Sequence, residues 1–329
     1  MKCIRPTKFP NSQGFFASCG QCMPCRITRR VEWHTKLMLE WKTFNTGVFV
    51  TLTYAPEHLP ESQHFSGGSL EKTDLQKFLK RLRFNYQKKY GETKIRHFAV
   101  GEYGDKSQRA HYHLLLFNID PQRAELMINK SWTLGLSQTD ELNENRIKYT
   151  VGYTIKKMTA LENFPDGRVP EFSIQSKNPS LGSYQIPTLG KMMIKHGLFP
   201  SRSMTNESTW ILEQDGFQPK LWSGVFFRDK SGNLEFPLTD EYKPSKGAQY
   251  CRLDTHMMKT LAKHLKPYLN DYLEARTALL TPKGYRVRRD RLTNHSYLDK
   301  ILYEGSEEYA ENIKKSDKIN RQHGKTRTI

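Results

Sequence analysis

Two histidines stand one residue apart in "RAHYHLLLF", residues 109–117, where an apolar run begins. In an extended strand, side chains two apart leave the same face, so His111 and His113 project together while Tyr112 turns away. Paired imidazoles can grip one divalent ion. A third ligand should come from a neighbouring strand at the same level, and Glu102 in "IRHFAVGEY" (95–103) is placed to supply it if "GDKSQRA" turns the chain into a hairpin. Two imidazoles and a carboxylate leave coordination positions open, as transfer chemistry requires. A histidine pair in a strand is often incidental on its own, so its weight depends on what else the chain offers.

A second reactive set lies in "ENRIKYTVGYTIKKM", 144–158. At ~100° per residue, Tyr149, Tyr153 and Lys156 fall within an arc of ~60°, opposite a stripe of Ile147, Val151, Ile155 and Met158. The stripe takes the core. Two phenols and an amine therefore face something else, with Gly152 beside them leaving room for a close approach. Tyrosines four apart also occur in ordinary helix packing, but these stand away from the apolar side.

Thiols form the third set. Cys19, Cys22 and Cys25 in "CGQCMPCR" have the two-residue gaps that let thiolates converge on one tetrahedral ion, with Cys3 upstream as the fourth ligand and His34 as the alternative. Structural Zn2+ is the expected occupant. An iron–sulfur cluster fits less well, because the further Cys followed by Pro of the bacterial ferredoxin pattern is missing. Cys251 stands alone and reads as a small buried side chain.

The elements that must position these groups read as follows. "RITRRVEWHTKLMLEWK" has the helical spacing of Ile27, Val31, His34 and Met38, and "GVFVTLTYAP" (47–56) is a strand closed by proline. "KTDLQKFLKRLRFNYQKKYG" is an amphipathic helix that buries Leu75, Phe78, Leu79, Leu82 and Tyr86 and turns a basic face outward. Asp120 before Pro121 caps a helix to about residue 130, and "WTLGLSQTD" supplies a further strand. Thr51 and Thr53 face one way along their strand, with sheet packing as their simplest role. From 161 to 250 the composition turns to Pro, Gly, Ser and Asn, with a hairpin in "LWSGVFFRDKSGNLEFPL". Residues 251–329 read as helices broken at Pro267 and a basic tail. The expected class is α+β, in four parts: a Cys-rich knuckle and helix (1–46), a catalytic core (47–160), a loop-rich accessory region (161–250) and a basic helical region (251–329).

Over the 329 residues, 52 Lys and Arg oppose 34 Asp and Glu, a formal net charge of +18. Such an excess implies a polyanionic partner. No apolar run approaches the ~20 residues of a spanning helix, so nucleic acid is favoured over membrane. "MKCIRPTKFPNSQG" lacks the apolar core of a secretory signal, which points to a reducing, cytoplasmic setting.

"FVTLTY" (49–54), "HYH" (111–113) and "YTVGYTIKK" (149–157) resemble the three motifs of the HUH endonucleases that initiate rolling-circle replication, in their two-tyrosine form. "CGQCMPCR" is similar to the replication initiators of small single-stranded-DNA bacterial viruses, the gokushovirus branch of the microviruses. The resemblance spans residues 1–160. It implies an antiparallel sheet flanked by helices, with Mg2+ or Mn2+ held by His111, His113 and Glu102, although the donor set also suits zinc. It further implies nucleophilic attack by Tyr149 or Tyr153, aided by the ion or Lys156, to give a 5′-phosphotyrosyl link and a free 3′-hydroxyl. The implied partners are single-stranded DNA at a viral origin and a host helicase and polymerase, in the host cytoplasm. Two other readings are a non-catalytic zinc-stabilised nucleic-acid-binding protein and a plasmid relaxase or transposase of the same superfamily. The cysteine cluster favours the viral one.

Overall fold

The structure, a computed structural model, describes residues 3–8, 16–62, 66–104, 106–156, 167–195, 198–200, 220–222, 224–236 and 242–265. The chain divides into two units, Met1–Leu189 with Gly224–Thr260, and Gly190–Ser223 with Leu261–Ile329. In the first unit a short pair, β1 (Thr7–Lys8) and β2 (Phe16–Ala17), precedes α1 (Met23–Phe44). There follow β3 (Gly47–Tyr54), α2 (Lys72–Tyr90), β4 (Arg96–Tyr103), β5 (Ala110–Phe117), α3 (Pro121–Ser131), β6 (Gly135–Glu141), α4 (Glu144–Lys156), β7 (Phe172–Gln175) and the start of α5 (Ile186–Lys195). In the second unit, β8 (Leu198–Pro200) pairs in parallel with β9 (Lys220–Trp222). A small antiparallel sheet in the first unit joins β10 (Val225–Arg228), β11 (Leu234–Glu235) and β12 (Gln249–Arg252).

The central sheet has the order β6-β3-β5-β4-β7 and is antiparallel throughout. Alternation along β3 and β5 divides its side chains between two cores. Val50, Leu52, Leu114 and Leu116 pack with Leu75, Phe78 and Leu82 of α2 and Ile128 of α3. Phe49, Leu115 and Phe117 pack instead with Leu37 of α1 and Ile147 and Val151 of α4. Helices thus cover both faces, and the five residues predicted for the buried side of α2 are the five it buries. Asp120 caps α3 by accepting a hydrogen bond from the Gln122 amide, as expected of the Asp-Pro start.

α1 begins at Met23, earlier than its apolar pattern suggests, so Cys25 belongs to its first turn. Its buried residues run through His34–Leu37, Leu39 and Glu40, whereas Ile27, Val31 and Met38 are only half-buried. The reason is polar. Glu40 and Arg96 are an ion pair buried from water, and the second Glu40 oxygen accepts from the Gly182 amide at 2.7 Å. Gly182 has φ +77°, and a Cβ there would come within 2.9 Å of the Lys36 carbonyl oxygen, so this close approach requires glycine. Strand β7 comes from the loop-rich segment, and the hairpin predicted around 221–238 is β10–β11. A helix over 255–265 agrees with the expected helical region. Its proposed break at Pro267 and the basic tail lie outside the described residues. Among the described residues, no helix is long and apolar enough to cross a membrane.

Candidate functional site

The ladder between β4 and β5 sets Glu102 opposite His111 and Val100 opposite His113. On the other side of β5, β3 sets Thr53 opposite His111 and Thr51 opposite His113. Strand alternation brings Thr51, Thr53, His111, His113 and Glu102 to one face. The hairpin and its register are those predicted.

Glu102 Oε1 lies 2.7 Å from His111 Nε2 and 3.2 Å from His113 Nε2. One ligand atom from each of the three residues falls within 4.8 Å of the others, so the group could hold a metal ion. Its hydrogen bonds fit that use. The Nδ1 of His111 sits 3.0 Å from the Arg109 carbonyl, which can only accept, so the proton is on Nδ1. The lone pair of Nε2 then faces a carboxylate, an arrangement that needs an additional proton or a cation. The Nδ1 of His113 is 3.0 Å from Thr51 Oγ1, and donation to that hydroxyl leaves its Nε2 free to ligate. Glu102 Oε2 and His113 Nε2 are buried without hydrogen-bond partners. Burial pushes the Glu102 carboxyl up, but hydrogen bonds from His111 and His113 outweigh it and hold the group below its ordinary value.

α4 carries the phenols to this group. Ile147 and Val151 are fully buried, which fixes the rotation of the helix. Tyr153 stacks on His113 with ring centroids 5.6 Å apart, and Tyr149 meets His113 edge-on at 5.3 Å. The two phenol rings touch each other at 4.8 Å. Tyr149 is 45% exposed, so a ligand can reach it from solvent, whereas Tyr153 also packs against the core. A Cβ at Gly152 would meet nothing within 4 Å, which leaves open space beside the pair. Lys156 is the last residue of α4; its side chain, with Lys157 and Met158, lies outside the described residues.

Two supports were not assigned by sequence reasoning. Thr51 acts through its hydrogen bond to His113 rather than through packing alone. Its position two residues from Thr53 was visible, but the cross-strand register that brings it to His113 was not. Arg146 lies over the Phe49 ring at 4.7 Å and pairs with Asp140 at 3.1 Å, one turn before Tyr149. At the start of α4, Glu144 pairs with Lys148 at 2.7 Å and Arg228 at 2.6 Å. Burial raises this carboxyl, yet those two cations lower it to about 2.

The sulfurs of Cys3, Cys19, Cys22 and Cys25 also lie within 4.8 Å of one another. Two of their separations are 3.8 and 4.0 Å. A tetrahedral ion with ~2.3 Å bonds sets sulfur–sulfur distances of about 3.8 Å, so these residues fit a tetrathiolate site. Cys22 is lowered to about 6, first by the Ile4 backbone, while burial and its neighbours push Cys25 up to about 12. A bound cation would let all four ionise. His34, the alternative ligand, is instead buried on α1 with Nε2 3.9 Å from Glu144. Cys251 is a buried free thiol, as read.

Residues 47–158, from β3 to the end of α4, match the family of replication-associated proteins of the ORF2 type. The resemblance drawn from the motifs is borne out by this match. The chain is 32% identical over 178 residues to replication-associated protein ORF2 of Spiroplasma virus 4, covering 50% of this chain and 55% of that protein. It is 28% identical over 191 residues to replication-associated protein VP4 of Bdellovibrio phage phiMH2K, covering 48% and 59%. It is 27% identical over 157 residues to replication-associated protein ORF4 of Chlamydia phage 1, covering 42% and 38%. The chain thus spans from two-fifths to three-fifths of the length of these curated relatives. No solved structure matches it.

Proposed function

We propose that this chain is a replication initiation endonuclease of the HUH, two-tyrosine type, which nicks and rejoins single-stranded DNA during rolling-circle replication of a small bacterial virus. The observation that carries the reading is that both phenol rings, at 5.3 and 5.6 Å, border the same imidazole, and that imidazole belongs to the Glu102–His111–His113 group. The relatives named as replication-associated proteins of a virus and phages support the replication role.

An Mg2+ or Mn2+ ion bound by Glu102, His111 and His113 supplies stabilisation for charge developing on a scissile phosphate. The chain does the rest. The Arg109 carbonyl and Thr51 hold the two imidazoles in the tautomer that leaves Nε2 free. Tyr149 or Tyr153 gives up its phenolic proton and attacks phosphorus. The bond to the 3′-oxygen breaks, that oxygen takes a proton, and a 5′-phosphotyrosyl link forms. A phenol of pKa ~10 needs its anion stabilised, and Lys156, three residues beyond Tyr153, is assigned that task. The second phenol cuts the next origin copy, and the freed 3′-hydroxyl attacks the first phosphotyrosyl link, resealing the strand without ATP. The four cysteines hold a structural Zn2+ at the start of α1. Loading of a host helicase and polymerase in the host cytoplasm completes the role.

The test is incubation of the full chain with a random-sequence single-stranded DNA pool and Mn2+, followed by a denaturing gel. A protein–DNA adduct through a 5′-phosphate is expected. It should vanish in the Tyr149→Phe plus Tyr153→Phe double variant. Adduct formation undiminished in that variant removes the proposed mechanism.

A further inference from the structure

On the side of the sheet away from the histidines, a cavity of about 580 Å³ opens between α2 and the edge strand β7. It is lined by Lys72, Lys80, Arg83 and Lys177, with His97 beside them. By strand alternation His97 projects from the face opposite Glu102, and the two stand five residues, ~17 Å, apart along β4. The cavity is therefore separate from the site already described.

Its cations are unneutralised. No carboxylate among the described residues pairs with Lys72, Lys80, Arg83 or Lys177, and no acidic side chain lines the cavity. Arg83 is half-buried and fixed: Nε donates to the Ile95 carbonyl at 3.3 Å, and Nη2 donates to His97 Nδ1 at 2.9 Å. A neutral imidazole and a carbonyl orient the guanidinium but leave its charge uncompensated. A partly buried charge of that kind favours a counter-ion from outside. Lys72, Lys80 and Lys177 are exposed around it.

The shape indicates what kind of anion. Lys72, Gln76, Lys80 and Arg83 recur at helical spacing along one side of α2, so the groove is ~16 Å long. That is too long for a single phosphate and suits a chain of them. Gln76, Ser173 and Gln175 add neutral amide and hydroxyl groups, which can bond to sugars or base edges. We propose that this groove binds a phosphodiester strand, a few nucleotides of single-stranded nucleic acid, at a second site on the sheet face opposite the histidine–tyrosine centre. This goes beyond the nicking reading and does not depend on it. The formal net charge of +18 favours nucleic acid over an acidic peptide laid along the β7 edge.

The experiment compares two triple variants of the full chain that remove equal charge. One is Lys72→Gln, Lys80→Gln, Lys177→Gln. The other is Lys77→Gln, Lys88→Gln, Lys130→Gln, exposed lysines outside the groove. Fluorescence anisotropy with labelled oligo-dT is measured across a salt series, with inorganic phosphate, a mononucleotide and poly-glutamate as competitors. Each lost phosphate contact lowers the slope of log K against log salt by ~0.7, so the groove variant should lose a slope of about 2 and bind roughly tenfold more weakly near physiological salt. The control variant should stay close to the parent. Inorganic phosphate and the mononucleotide should compete poorly with the strand. Equal losses in both variants, no binding of oligo-dT by the parent, or competition by poly-glutamate that matches oligo-dT would overturn the proposal. Because the readout is binding, absence of a covalent adduct would count against the nicking reading alone.

Discussion

Glu102 is the ladder partner of His111, and its Oε1 lies 2.7 Å from His111 Nε2 and 3.2 Å from His113 Nε2. Since the Arg109 carbonyl takes the His111 Nδ1 proton, the imidazole lone pair is aimed at an anion. A divalent cation resolves that opposition. His113→Ala should therefore abolish Mn2+ binding measured by titration calorimetry, and Thr51→Val should weaken it by about 10- to 100-fold through loss of the oriented Nδ1. Unchanged affinity in both variants would separate the ion from this group.

The cysteine cluster predicts one tightly bound zinc per chain. In the absence of an ion the thiols are split, with Cys22 lowered to about 6 and Cys25 raised to about 12. Ligation must then expel protons, so zinc added to apo-protein at pH 7 should release more than one proton per ion in a lightly buffered titration. Chelation should lower the thermal midpoint, and Cys25→Ser should remove the zinc. Metal analysis gives the stoichiometry directly.

Buried imidazoles predict the acid sensitivity of the fold. Burial, with Arg83 and Arg96 nearby, holds His97 down at about 3, and burial holds His34 down at about 4. The unfolded chain takes these protons near pH 6.5 and the folded chain does not, so stability is complete above pH 6.5 and falls as pH drops below it. The loss continues to about pH 4 for His34 and about pH 3 for His97, at up to ~1.4 kcal/mol per pH unit for each. Denaturant melts of His97→Gln, which keeps an acceptor for Arg83, should depend less steeply on pH between 6 and 4. An identical slope would mean that His97 titrates normally.

The buried pair of Glu40 and Arg96 predicts a sharp asymmetry. Removing one partner, as in Glu40→Gln, leaves a charge stranded where both side chains are 1% exposed or less, and should cost about 3–5 kcal/mol. Replacing both with apolar residues should recover much of that. Chemical denaturation of the two variants distinguishes a stabilising pair from a positional one.

Much of the site was legible because period-two alternation and the hairpin turn fix which face and which level each residue takes. His111, His113 and Glu102 needed nothing more. Tyr149 and Tyr153 followed from the helical stripe of Ile147 and Val151. What escaped depended on contacts far apart in sequence. Thr51 reaches His113 only through the β3–β5 register, and α1 turns a glutamate inward because Arg96 and Gly182 await it from distant segments. Strand β7 was hidden in a segment rich in proline and serine, since four half-buried residues at a sheet edge carry too little pattern to be read. The α2–β7 groove was hidden with it, because its basic residues looked like an ordinary solvated helix face.

The central claim is that a phenol of α4 attacks phosphorus beside the histidine group. The direct measurement is mass spectrometry of the protein–DNA adduct after nuclease and protease digestion. A nucleotide phosphate on Tyr149 or Tyr153, formed with Mn2+ and lost in His113→Ala, is the predicted result. Strand cleavage that leaves both tyrosines unmodified, or an adduct on a residue elsewhere in the chain, would contradict it.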